Sequence, residues 1–198
     1  METTYFCQKD FLLRNKLNLK SWNKLLLLHK LKAERMRSSP FGIGKYNEKR
    51  VGMYGQELFS SERNIHVGID IAAPVGTEVF AFASGRVFLF DYNSAEGDYG
   101  YTLITEHEIE SQKFFALFGH LSEKSIKTKN INQGFDRGEV IAWVGDKHEN
   151  GGWNPHLHFQ LSLAAPSKAD LPGVVAEQDL AKALQAYPDP RIVLGPVY

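Results

Sequence analysis

Cysteine is all but missing from this chain: Cys7 stands alone among 198 residues. A single thiol excludes an intramolecular disulfide and any zinc site built on paired cysteines. A metal, if one is held, must rest on histidine and carboxylates. Net charge is missing too. The 23 Lys/Arg balance 23 Asp/Glu, so nothing global draws the chain to nucleic acid or to an anionic membrane. Nor does any apolar run approach the roughly 18–20 residues of a membrane span. Leu25–Leu28, the longest near the N-terminus, is too short for a signal-peptide core, and no small-residue cleavage site follows it. These absences point to a cytoplasmic protein with no transmembrane segment.

What is present is an ordinary globular composition, 43% hydrophobic and 23% charged, in a length that suits one well-packed domain with additions at its ends. The neutral total conceals a basic start. Residues 1–39 mix Phe11, Leu12, Leu19, Trp22, Leu26 and Leu27 with Lys and Arg at loosely helical spacing, without Gly or Pro. That pattern predicts one or two basic amphipathic helices, packed on the main domain with the basic face solvated, or able to dock a partner or a membrane surface. Ser38 to Gly44 reads as a linker. The main domain then runs over 40–198, with its core at about 60–163.

Beyond the linker, short β segments with turn residues every 8–12 positions predict a mainly β, antiparallel domain. Ile65–Ala72 reads as one strand. Tyr101–Ile109 and Lys113–Leu121 flank a turn and form a hairpin. Thr77–Phe90 and Gln133–Gly145 read as two further Gly-spaced hairpins, and Gln178–Ala186 as a helix.

The stretch after Pro155 carries the chemistry. His156, His158, Gln160 and Ser162 alternate with Leu157, Phe159, Leu161 and Leu163. A period of two with one apolar face predicts a half-buried strand. On it the two histidines point the same way, with Cα atoms roughly 6.6 Å apart, so both imidazoles can reach one small site. A second constellation is His66-Val67-Gly68-Ile69-Asp70. On a straight strand its ends lie about 13 Å apart, beyond joint reach of one ion, so co-ligation requires a kink, and Gly68 is where a strand can bend. Among the other histidines, His29, His107 and His148 read as solvated. His120 ends the apolar strand Phe114–Phe118.

Two imidazoles and one carboxylate are what a catalytic zinc site uses, leaving a fourth position for water. Taken together, these segments resemble the lysostaphin-type (LytM-like) zinc metallopeptidases. The family signature is His-x-x-x-Asp, then an aromatic-x-His-Leu-Ser segment, then His-x-His. Here these stand as His66–Asp70, Phe118-Gly119-His120-Leu121-Ser122 and His156-Leu157-His158.

The resemblance implies Zn2+ held by His66, Asp70 and His158, with His120 and His156 as catalytic histidines. It also implies a fold of antiparallel β-sheets with a groove for a substrate peptide, such as a peptidoglycan stem or cross-bridge, and Trp153 is placed to line that groove. The segments Glu149–Trp153, Leu171–Val174 and Pro188–Pro190 are similar to a branch of the domain found in intracellular kinase–aminotransferase fusion proteins. Two other readings stand beside the peptidase. One is a non-catalytic binding module of the same fold; the other is a zinc hydrolase acting on a small intracellular amide or phospho-amine compound.

Overall fold

A computed structural model of the chain describes residues 42–50, 63–109 and 111–198, and among these described residues it has twelve strands and little helix. The basic helices expected over 1–39 lie outside the described residues, as does most of Tyr46–Arg63. In chain order the strands are β1 (Ile43–Gly44), β2 (Glu48–Lys49), β3 (Arg63–His66), β4 (Ile69–Ala72), β5 (Glu78–Phe80) and β6 (Gly85–Asn93). They continue with β7 (Gly100–Ile109), β8 (Gln112–Leu121), β9 (Gly134–Phe135), β10 (Val140–Trp143), β11 (His156–Ser162) and β12 (Val174–Ala176). Short helices lie at Lys124–Lys127, Leu180–Ala186 and Arg191–Leu194. The mainly β, antiparallel architecture is the one the turn spacing predicts. Among the described residues no helix is long and apolar enough to cross a membrane.

One seven-stranded sheet, in the order β1-β4-β11-β8-β7-β6-β9, dominates. Its centre is β8, Phe114–Phe118 in particular, whose alternate residues serve two apolar layers. Phe114, Ala116 and Phe118 join Phe159 and Leu161 of β11 in the larger core, which the two-stranded sheet β5–β10 closes with Val79, Ile141 and Ala142. Phe115 and Leu117 face the other way, onto Tyr99, Ile104 and Leu171. Within the larger core the Phe159 ring sits 5.2 Å from that of Phe118 and 5.8 Å from that of Phe82. Burying each such side chain contributes about 1.5–3 kcal/mol, which anchors the apolar side of the histidine strand.

Four expectations need correction. First, Ile65–Ala72 is not one strand. The chain leaves β3, in a three-stranded sheet with β12 and β2, and re-enters as β4 of the large sheet. Second, the two Gly-spaced segments are not hairpins. β5 pairs with β10 and β6 with β7 and β9, so each segment finds its partners outside itself. Local turn residues cannot distinguish a hairpin from two strands that turn into different sheets. Third, β11 is not half-buried. Gln160 and Ser162 are fully buried on its polar side, where the Pro172 carbonyl accepts a hydrogen bond from Gln160 Nε2 at 3.3 Å. Fourth, His107 is not solvated. It is 1% exposed, with its ring against Phe82 and Phe114.

Candidate metal centre and the residues around it

The break at Val67-Gly68 is what brings His66 to Asp70. β3 ends with His66 facing inward, Val67 N–H donates to the Gly173 carbonyl at 3.0 Å, and β4 begins two residues later. A straight strand would hold the two Cα atoms about 13 Å apart; with the turn, His66 Nε2 comes within 3.3 Å of Asp70 Oδ1. Gly68 is required here for space. A Cβ on it would lie 2.6 Å from His158 Nε2.

β11 supplies the third donor. Its register against β4 sets His158 opposite Asp70 and His156 opposite Ala72. His158 Nδ1 lies 2.8 Å from Asp70 Oδ1 and 3.2 Å from His66 Nε2. The ligand atoms of His66, Asp70 and His158 all fall within 4.8 Å of one another. A tetrahedral ion with bonds of about 2.0–2.1 Å spaces its ligands about 3.4 Å apart, so the three donors stand close to the separation such an ion imposes. Two imidazole nitrogens and a carboxylate oxygen also match its chemistry. The group fits.

The outer nitrogens carry partners that set the tautomers. His158 Nε2 donates to Gln160 Oε1 at 3.1 Å, with the Tyr99 hydroxyl 3.4 Å away. This leaves the Nδ1 lone pair facing inward. Two partners meet at His66 Nδ1: the Lys45 carbonyl at 2.9 Å and Arg50 Nη2 at 2.8 Å. The first needs a proton on Nδ1 and frees Nε2; the second needs the reverse. A cation at Nε2 selects the first.

Asp70 is ionised. Burial opposes its charge, but His66 and His158 outweigh it by charge and hydrogen bond, holding its carboxyl well below the usual range. His158 is also pushed down, its pKa lowered by burial against the pull of Asp70. An ionised Asp70 beside a His158 imidazole whose protonation burial disfavours suits a bound cation.

His120 and His156 stand beside this cluster with ring centroids 4.2 Å apart. Strand parity alone would turn His120 to the core side with Phe118. A bulge prevents it: across β7 and β8 the pairing passes from Leu103–Phe118 to Tyr101–Leu121, so β8 holds an extra residue. His120 takes a left-handed φ of 60° there. Gly119 beside it gives the Tyr99 ring room, since a Cβ would meet Tyr99 Cδ1 at 2.6 Å. His120 Nδ1 donates to the Asn150 carbonyl at 2.8 Å and His156 Nδ1 to that of Asn154 at 2.6 Å. Each ring is thus left with a free Nε2 lone pair, and His156 Nε2 is 4.0 Å from Asp70 Oδ1. Burial lowers the pKa of both, most strongly at His120, where His156 and His158 add to it. Trp153 backs His120 edge-on at 6.3 Å; its backbone N–H donates to Asn150 Oδ1 at 3.0 Å.

Residues 64–169 match the sequence profile of Peptidase family M23. The chain belongs to that family. The chain is 32% identical over 163 residues to the DD-carboxypeptidase/endopeptidase Mpg of Neisseria meningitidis, covering 75% of this chain and 33% of that protein. It is 28% identical over 130 residues to the peptidoglycan DD-endopeptidase ShyC of Vibrio cholerae, covering 61% of this chain and 28% of that one. The chain therefore spans about a third or less of these relatives' lengths. Among solved structures, lysostaphin from Staphylococcus simulans superposes with a TM-score of 0.50 at 20% identity, covering 82% of this chain and 52% of that one. This likeness concerns the fold.

Tyr99 and Asn150 of the M23 domain, and Lys45 and Arg50 ahead of it, do not stand out in the sequence. Gln160 sits on the histidine face of the alternation, which is the one available signal. The others act through a hydroxyl, two backbone carbonyls and a guanidinium brought in from loops and edges, and no spacing rule reaches them. His148, expected in solvent, is exposed.

Proposed function

We propose that this domain is a zinc-dependent endopeptidase acting on peptides of the peptidoglycan stem or cross-bridge kind. One observation carries the reading: two histidines with free Nε2 atoms flank a His-Asp-His donor set. The substrate class draws support from the endopeptidase relatives Mpg and ShyC.

His66 Nε2, Asp70 Oδ1 and His158 Nδ1 would hold the ion. Zinc bound there supplies a Lewis acid that activates water and polarises the scissile carbonyl. His120 and His156 handle protons. Each presents Nε2 as a base while its Nδ1–H is fixed on a carbonyl, and the ring that has taken a proton can donate it to a developing oxyanion or to the leaving amine. Loss of such a group typically costs 10²–10⁴ in rate.

Elemental analysis with turnover assays on purified peptidoglycan and Gly-rich peptides tests the reading. His158→Ala should lose the metal. His120→Ala and His156→Ala should keep it and lose turnover. Stoichiometric zinc in His158→Ala would refute the ligand set. Equal product release from the zinc-loaded parent and His120→Ala would refute catalysis at this site and favour a binding module.

A further inference from the structure

Two of the three inward-facing donors are held from outside by a segment that precedes the family-matching stretch 64–169. Residues 43–50 form a strap across both ligand strands: β1 sets Gly44 opposite Asp70, and β2 sets Glu48 opposite His66. The strap is tied down further by Asn47 N–H on the His66 carbonyl and Arg50 N–H on the Asn64 carbonyl, each at 2.8 Å. From the far side, Tyr46 donates its hydroxyl to the Tyr187 carbonyl at 2.7 Å, and its N–H to the Tyr198 hydroxyl at 3.2 Å.

At the end of this strap Arg50 is 7% exposed. Its Nε donates to Glu48 Oε2 at 3.2 Å. Its Nη2 lies 2.8 Å from Asp70 Oδ2, the oxygen that does not face the two histidines. A buried guanidinium on a carboxylate is a directional, charge-assisted contact. It fixes the carboxylate plane and occupies one oxygen, so the other is presented singly.

We propose that Arg50 is a positioning residue of the metal centre. By holding Asp70 Oδ2, it makes the carboxylate a one-oxygen ligand aimed at the point between His66 and His158. The inference rests on the ligand set above and adds that this set is incomplete without residues 43–50. Arg50 also brings a positive charge towards the ion, which on its own would weaken binding. The proposal is that orientation outweighs repulsion, because the guanidinium and the ion lie on opposite oxygens of one carboxylate. Partners of this kind typically change metal affinity by 10–100-fold.

The test uses the full chain, with Zn2+ affinity measured against a competing chelator and Co2+ absorption spectra of the loaded proteins. Arg50→Met should bind Zn2+ about 10–100-fold more weakly than the parent, with an altered Co2+ spectrum as the freed carboxylate changes its mode of binding. Arg50→Lys keeps the charge without the planar fork and should fall between the two. Far-UV circular dichroism of the metal-free proteins reports folding. If Arg50→Met does not fold, Glu48→Gln replaces it. That change weakens one anchor of the guanidinium, the charge-assisted contact at Nε, without stranding Asp70, and a several-fold loss is expected.

Equal or tighter Zn2+ binding by Arg50→Met, or by Glu48→Gln in its place, overturns the proposal, as does an unchanged Co2+ spectrum. The His158→Ala control separates the two readings. If it loses the metal while Arg50→Met does not, the ligand set stands and only the role of Arg50 falls.

Discussion

Lowering the pH from 7.5 to 4 should cost this fold roughly 3 kcal/mol through His107 alone. The imidazole lies in the core with its ring centroid 4.3 Å from Phe82 and 5.3 Å from Phe114. Its Nδ1 donates to the Ser84 carbonyl at 3.1 Å, and its Nε2 accepts from Thr105 Oγ1 at 2.7 Å. Burial disfavours the charged ring more than Ser84 and Glu106 favour it, and pushes the pKa down to about 4 from 6.5. In the unfolded chain the ring protonates near 6.5, so between the two values the unfolded state binds more protons. Stability is then fully present above 6.5 and is lost as pH falls towards 4. Every pH unit that separates the folded from the unfolded titration is worth about 1.4 kcal/mol.

Urea unfolding of the wild type and His107→Phe at several pH values, with chelator present throughout, isolates this contribution. Phenylalanine keeps a ring among its aromatic neighbours and removes the titration, and shared ionisations cancel in the difference. The wild type should lose roughly 3 kcal/mol relative to the variant across the range. Parallel stability curves, or an NMR titration of His107 near 6.5, would refute the reasoning.

Gly68→Ala should fold but bind metal poorly, because the added methyl displaces the His158 ring; Zn2+ affinity with an unchanged far-UV spectrum checks this. Phe159→Ala removes a buried ring behind the histidine strand and should destabilise by about 3–5 kcal/mol in denaturant unfolding. Tyr99→Phe deletes a hydroxyl that donates to the Leu171 carbonyl at 3.0 Å. The expected cost is about 1 kcal/mol in stability, with zinc retained, since Gln160 still holds His158.

Local pattern is enough to read the β architecture, the β7–β8 hairpin and the helix near 180–186, because hydrophobic alternation and turn chemistry are written into neighbouring residues. Four of the five candidate site residues are also legible, through a histidine pair with period two and a spacing that demands a break at Gly68, whereas His120 is reached only through the family resemblance. Three-dimensional packing decides the rest. Whether a Gly-rich segment closes on itself or pairs elsewhere depends on distant edges, so Thr77–Phe90 and Gln133–Gly145 look like hairpins and are not. His107 looks polar beside Glu106 and Glu108, and only the facing phenylalanines place it in the core. The bulge that turns His120 to the side of His156 is one residue of register against β7. Arg50 reaches Asp70 only because β1 and β2 cross the ligand strands. Residue type and spacing are properties of a short stretch of chain; register, burial and outer partners are properties of what folds against it.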